Sequence, residues 1–371
     1  MELSWWEIDS WFSNVDYTII GSGIVGLNAA VRLREKFPDS KILLLERGPL
    51  PQGASTKNAG FACFGSLSEI VDDLQKHSSE EVVALIRKRW DGLQFMRKTL
   101  GDEAINFENL GGWEIFSDDG QLAAPCIAQM TEVNNLLRPI FHEDVFSIRS
   151  NGFGFEKISD KLIFNPFESQ IDTGKMMQAL LRKAIAEKIL ILNNQEVQSF
   201  DEVTDGVWVN LPSIRFKTSK LLIANNGFAA KFTGEDVRPA RAQVVITKPI
   251  PGLKVKGTFH FDQGYYYFRN VGDRILFGGG RNLDFDGETT TTMGQSDLIQ
   301  NRLEQLLKEV ILPRRKFEIE HRWSGIMGMG PKKYPVVKQL SSHTFCGVRL
   351  GGMGVAIGSL VGRELADLVI L

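Results

Sequence analysis

Between residues 16 and 46 the chain reads Asp-Tyr-Thr-Ile-Ile, Gly-Ser-Gly-Ile-Val-Gly, a helix-compatible stretch to Lys36, and then Lys-Ile-Leu-Leu-Leu-Glu. This segment limits the fold to a strand, a tight turn, a helix and a second strand. Gly21, Gly23 and Gly26 give G-x-G-x-x-G spacing as the chain leaves the strand and enters a helix expected over 24–36. Gly21 permits the tight turn, Gly23 lets backbone approach a pyrophosphate, and Gly26 lets helix lie close on strand. The helix N-terminus presents unpaired N–H groups and a partial positive charge to phosphates. Glu46 ends the second strand twenty positions after Gly26, where a carboxylate can accept both ribose hydroxyls of an adenosine. Together these features predict a dinucleotide-binding unit.

The 371 residues exceed one ordinary core and suit two interconnected domains. Lys plus Arg number 43 against 45 Asp plus Glu, so no net charge draws the chain to nucleic acid or an anionic membrane. The opening Met-Glu-Leu-Ser-Trp-Trp-Glu lacks the pattern of a secretory signal, and no apolar run is long enough to span a bilayer, so a cytoplasmic location is expected. Cys63, Cys126 and Cys346 are odd in number and far apart. They read as buried small hydrophobes, and their spacing speaks against disulfides and zinc. The five histidines show no metal-ligand spacing and are expected in structural or surface roles. Trp5, Trp6 and Trp11 suggest a packed N-terminal cap.

Further along, residues 68–100 turn helical, 111–117 read as a strand, 122–137 as a helix, and the stretch to 167 as irregular strands. A helix over 175–188 precedes strands at 189–192, 207–211 and 220–224, a return to the nucleotide-binding sheet. Residues 238–320 are β-rich with a helix over 296–310, and 344–370 run from a strand through glycines into a last helix. The expected architecture is α/β. A Rossmann-like nucleotide-binding domain is made of 1–67, 155–237 and 321–371, and an interleaved antiparallel-sheet substrate domain of 68–154 and 238–320.

Several motifs in order carry a resemblance: Ile19-Ile-Gly-Ser-Gly-Ile-Val-Gly-Leu, Glu46-Arg-Gly, Gly53-Ala-Ser-Thr-Lys-Asn-Ala-Gly, Ala224-Asn-Asn-Gly, Arg238-Pro-Ala-Arg-Ala-Gln, Tyr266-Tyr-Phe-Arg, Trp323-Ser-Gly and Gly351-Gly-Met-Gly. The chain resembles the FAD-dependent D-amino-acid oxidase superfamily, which includes glycine and sarcosine oxidases, and is most similar to its γ-glutamylputrescine oxidase branch. The resemblance implies FAD as cofactor. Gly21, Gly23, Ile24 and Gly26 would hold its pyrophosphate, and Glu46 and Arg47 would flank the adenosine. Ser55, Thr56 and Lys57 would meet the phosphates or ribityl chain, and Ala59, Gly60 and Phe61 the flavin edge. Val197 would lie against adenine. Gly352, Met353, Gly354 and Val355 would aim N–H groups at the N1–C2=O edge, where reduced flavin gathers negative charge.

Relative to the family, no cysteine follows Trp323, implying non-covalent FAD. Met327 stands where an arginine grips a substrate carboxylate, and Leu276 where a lysine activates oxygen, so the electron acceptor is either O2 or another carrier. The expected reaction is oxidation of a C–N bond in a small amine or amino acid. Tyr267 and Arg349 are the candidate catalytic residues, with Tyr265 behind them. Strand alternation puts Tyr265, Tyr267 and Arg269 on one face and Tyr266 and Phe268 on the other. A packed aromatic strand with an exposed arginine is the structural alternative. Lys332 and Lys333 read as a solvated pair. Two other functions stay open, action on an aminomethyl group of a macromolecule such as tRNA, and flavin binding without turnover.

Overall fold

The computed structural model describes residues 2–118 and 122–369. The predicted turn is built as expected, with the strand Val15–Ile20 leading into the helix Ile24–Lys36 and the strand Ile42–Leu45 lying parallel beside the first. On its other side the first strand pairs in parallel with Arg215–Ile223, which in turn pairs in parallel with Thr344–Val348. Leu190–Leu192 extends the far edge and Val336–Gln339 the near one. The central strands are apolar on both faces, as a sheet covered on both sides requires. Ile19, Leu44 and Leu222 pack one face beneath the helices Ile24–Lys36, Thr173–Ala186 and Gly354–Asp367. Ile20, Leu45, Leu221 and Ile223 pack the other with Val207 and Val209 of the hairpin Ser199–Val203 and Gly206–Asn210, which pairs antiparallel onto Arg215–Ile223 and brings the sheet to eight strands. The last helix was expected to reach Ile370, which lies outside the described residues.

The second sheet also has eight strands, in the order Ile319–Met329, Arg238–Thr247, Arg274–Gly279, Tyr266–Val271, Thr258–Phe261, Gly112–Ile115, Lys161–Asn165 and Ser147–Ser150. All neighbours are antiparallel except Thr258–Phe261 with Gly112–Ile115. Phe259, Phe268 and Phe277 fill its core against Ile299 and Leu303 of the helix Asp297–Leu306, and the rings of Phe259 and Phe268 stack at 4.6 Å. The borders expected at 155 and 321 fall differently. Strand Lys161–Asn165 and the whole of Ile319–Met329 belong to this second sheet, because their register with Gly112–Ile115 and Arg238–Thr247 is set by pairing that no local pattern announces.

Two further expectations need correction. Trp5 and Trp6 are 68% and 74% exposed, so the N-terminal turn is not a packed cap. Arg269 is buried rather than exposed. Among the described residues no helix is long and apolar enough to cross a membrane.

Candidate active site

A cavity of about 800 Å³ runs between the two sheets. At one end stand Glu46, Arg47 and Val197; the N-termini of the helices Ile24–Lys36 and Gly354–Asp367 flank its middle; Phe61, His260, Tyr265 and Tyr267 line the other end. The two helices can converge because they meet through glycine. A Cβ at Gly362 would lie 2.4 Å from the carbonyl oxygen of Val25, and one at Gly358 2.9 Å from Cγ2 of Ile24. Two positive dipole ends thus point into one space, an arrangement suited to a ligand with phosphates and a second electron-rich group.

The first glycines behave as their spacing implies. Gly26 faces the Gly21 carbonyl so closely that a Cβ would sit 1.9 Å from its oxygen, and Gly21 takes φ +103° under Ala224. Gly23 opens onto the cavity, with Ser55 Oγ only 2.8 Å from where its Cβ would be. That hydroxyl accepts the Ile24 N–H at 2.9 Å, which places Ser55 at the helix terminus. Glu46 is buried and pinned at the cavity wall, its Oε2 accepting from the Ser22 hydroxyl at 2.7 Å and backbone N–H at 3.2 Å, its Oε1 from Gly48 N–H at 3.1 Å. Arg47 lies 3.8 Å over the Phe228 ring.

Residues 53–61 wrap the middle of the cavity. Asn58 ties the loop together, donating to the carbonyls of Ala54 and Ser55 while its Oδ1 accepts Gly60 N–H and the Thr173 hydroxyl. Buried Arg269 crosses from the second sheet and donates to the carbonyls of Ala59 and, at 2.9 Å, Ile171. Gly60, at φ +75°, leaves the room that this guanidinium fills. Burial pulls Arg269 down to about 10, against the pull of Asp172 and Glu108, so the group stays charged at neutral pH.

Lys57, Ala59, Phe61, Met353, Gly354 and Val355 line the cavity along with Gly352, whereas Gly26, Thr56 and Gly60 do not. Gly26 and Gly60 act through packing, and Thr56 is exposed. Tyr267 lines the cavity, its ring edge-on to Phe61 at 5.7 Å, and burial raises its phenol to about 12. Arg349 does not line it. At φ +64° its guanidinium turns away, donating to the carbonyls of Tyr334 at 3.2 Å and Asp236 at 3.4 Å. Its pocket role is therefore corrected: the left-handed backbone needed to start the turn into Gly351 and Gly352 points the side chain elsewhere. Lys333 lines the cavity and, though still partly exposed, pairs with Asp73 at 2.5 Å.

Local spacing missed His260. It is buried, lines the cavity, and its Nε2 lies 2.6 Å from Oε1 of buried Glu168. Burial disfavours the imidazolium, but the adjacent Glu168 carboxylate, helped by Glu69 and Glu114, outweighs it and raises the group to about 9. The available signal was alternation in Thr-Phe-His-Phe. Pairing this strand with 266–271 sets His260 opposite Tyr267, with Phe259 turned to the core.

A model of the family described as FAD dependent oxidoreductase matches residues 16–368. The chain belongs to this family. FAD is the cofactor, and the protein is an oxidoreductase. The flavoenzyme is 23% identical to gamma-glutamylputrescine oxidoreductase of Escherichia coli (strain K12), over 95% of this chain and 83% of that one. Its fold matches glycine oxidase from Geobacillus kaustophilus with a TM-score of 0.75 at 17% identity, covering 95% of this chain and 94% of that chain. It matches L-proline dehydrogenase from P. horikoshii equally well, 0.75 at 16%, covering 96% and 93%.

Proposed function

We propose that this flavoenzyme oxidises the C–N bond of a small amine or amino acid, with FAD held non-covalently. The observation that carries this reading is one cavity lined by two helix N-termini, a fixed Glu46 and the half-buried rings of Phe61, Tyr265 and Tyr267. The proteins it resembles, a gamma-glutamylputrescine oxidoreductase, a glycine oxidase and an L-proline dehydrogenase, are each named for an amine or amino acid, which supports this substrate class. Gly21, Gly23, Ile24 and Ser55 suit the pyrophosphate; Glu46 and Val197 suit the adenosine; Lys57 suits the ribityl chain or phosphates. Ala59, Phe61 and the segment 352–355 suit the flavin ring.

FAD, once bound, would supply a two-electron acceptor for oxidation of the C–N bond, and water would hydrolyse the resulting imine. The chain's own part is positional. Arg269 fixes the backbone of Ala59, so the wall at Phe61 is rigid. Tyr267 stays a neutral phenol at working pH and, with Phe61, excludes bulk water from the reacting carbon. The N-terminus of Gly354–Asp367 offers a fixed dipole to negative charge that develops during reduction.

The test is anaerobic addition of a panel of primary amines, N-methyl amines and amino acids to the yellow protein. Bleaching by one class, with the colour released by acid precipitation, supports the proposal. A flavin that no amine or amino acid reduces overturns it. Reoxidation in air against reoxidation by a quinone or dye then distinguishes oxidase from dehydrogenase.

A further inference from the structure

Three buried side chains with metal-binding atoms converge in the aromatic part of the cavity. Cys63 Sγ, a carboxylate oxygen of Glu168 and a ring nitrogen of His260 all lie within 4.8 Å of one another. They come from separate elements: Cys63 follows the short strand Phe61–Ala62, Glu168 precedes Ser169–Gln170, and His260 sits in Thr258–Phe261. We propose that Cys63, Glu168 and His260 form a binding site for one divalent cation of the Zn2+ class, opening on the cavity beside the flavin.

Charge and donor type support the choice of ligand. A thiolate, a carboxylate and a neutral imidazole balance a double positive charge, which a buried site requires. Sulfur, nitrogen and oxygen together suit a borderline cation such as Zn2+ better than the hard, all-oxygen ions. Three protein ligands leave a fourth position open; Cys63 and His260 both line the cavity, so that position faces it. The support behind the ligands is already built, since the Thr258 hydroxyl donates to Glu168 Oε1 at 2.8 Å and fixes its orientation. Around them stand Glu69 and Glu114, the latter directly opposite His260 in the sheet register, so the surroundings favour positive charge. Binding closes the ring by forming metal–sulfur, metal–oxygen and metal–nitrogen bonds. It releases two protons to solvent, one from Sγ and one from the hydrogen bond between Nε2 and Oε1.

The experiment titrates the purified full-length protein with Zn2+ by calorimetry, and with Cd2+ by the ultraviolet charge-transfer band of a cadmium thiolate. One ion per chain is expected, with a band that persists in Cys126→Ser and Cys346→Ser and vanishes in Cys63→Ser. Thr258→Val should weaken binding by roughly 10–100-fold, the cost of a lost supporting hydrogen bond, and His260→Gln by more. A wild-type protein without the thiolate band, or a band that survives Cys63→Ser, overturns the proposal. The flavin spectrum recorded in the same samples reports separately on FAD binding, so failure of the cofactor assignment and failure of the metal site are told apart.

Discussion

Arg269 ties the second sheet to the cavity wall through one side chain: its backbone lies in that sheet and its guanidinium holds the carbonyls of Ala59 and Ile171, which flank the short pair Phe61–Ala62 and Ser169–Gln170. Each hydrogen bond to a buried charge contributes about 1.5–3 kcal/mol. Arg269→Met removes both and leaves two carbonyls unsatisfied, so unfolding free energy should fall by roughly 3 kcal/mol in a urea titration. FAD should also leave faster on dilution, because Ala59 and Phe61 lose their fixed backbone. A variant with unchanged flavin release would show that the wall is held by other contacts. Gly23→Val is expected to yield protein with little flavin absorbance, since the added side chain enters the space beside Ser55 Oγ; full FAD content would place the pyrophosphate elsewhere. At this scale the sequence was readable wherever function depends on neighbours along the chain. The Gly21–Gly26 turn and Glu46 could be read directly. His260 and Glu168 could not, because 92 residues separate partners that meet only through sheet pairing. Arg349 misled for the converse reason, as its place beside Gly351 and Gly352 says nothing of a left-handed φ that turns its side chain out.

The helices Ile24–Lys36 and Gly354–Asp367 are a matched pair, and their contact is made of absences: no side chain stands between Gly362 and Val25, or between Gly358 and Ile24. Gly92 in the helix Ser79–Leu100 repeats the device against Ala356, where a Cβ would fall 2.1 Å from the carbonyl oxygen. Close approach sets the angle at which both N-termini enter the cavity. Gly362→Leu should therefore cost about 1–3 kcal/mol by overpacking and weaken FAD binding, as the dipole ends are forced apart. Calorimetric melting and a flavin titration on the same variant check both effects. A destabilised protein with unaltered FAD affinity would mean that the helix ends hold their places independently of this contact. The strands and helices of the nucleotide-binding half could be located from apolar runs, since a parallel sheet buried on both faces writes itself as continuous Ile, Leu and Val. The second sheet was harder. Its strand at 147–150 is short and largely exposed, that at 161–165 is short though mostly buried, and only pairing makes them strands.

Across the whole molecule the cofactor contributes to stability as well as chemistry. A ligand bound only to the folded state, at a free concentration of about 100 Kd, adds roughly 2.7 kcal/mol. Removal of FAD should lower the melting temperature, and added FAD should restore it in a concentration-dependent way. An unmoved melting point on reconstitution would mean that FAD does not bind the folded chain in preference to the unfolded one. By contrast, Trp5 and Trp6 stand outside every packed cluster, so Trp6→Ser should shift stability by no more than about 0.5 kcal/mol. The central strand Val15–Ile20 has Arg215–Ile223 on one side, Thr344–Val348 lies beyond that, and the N-terminus of the helix Gly354–Asp367 lines the cavity. A chain emerging from the ribosome thus displays the Gly21–Gly26 turn before the strand Thr344–Val348 and the helix Gly354–Asp367 that close the same cavity. The nascent protein must wait, with an unfinished sheet edge, until residues 344–367 have been translated before flavin can be retained.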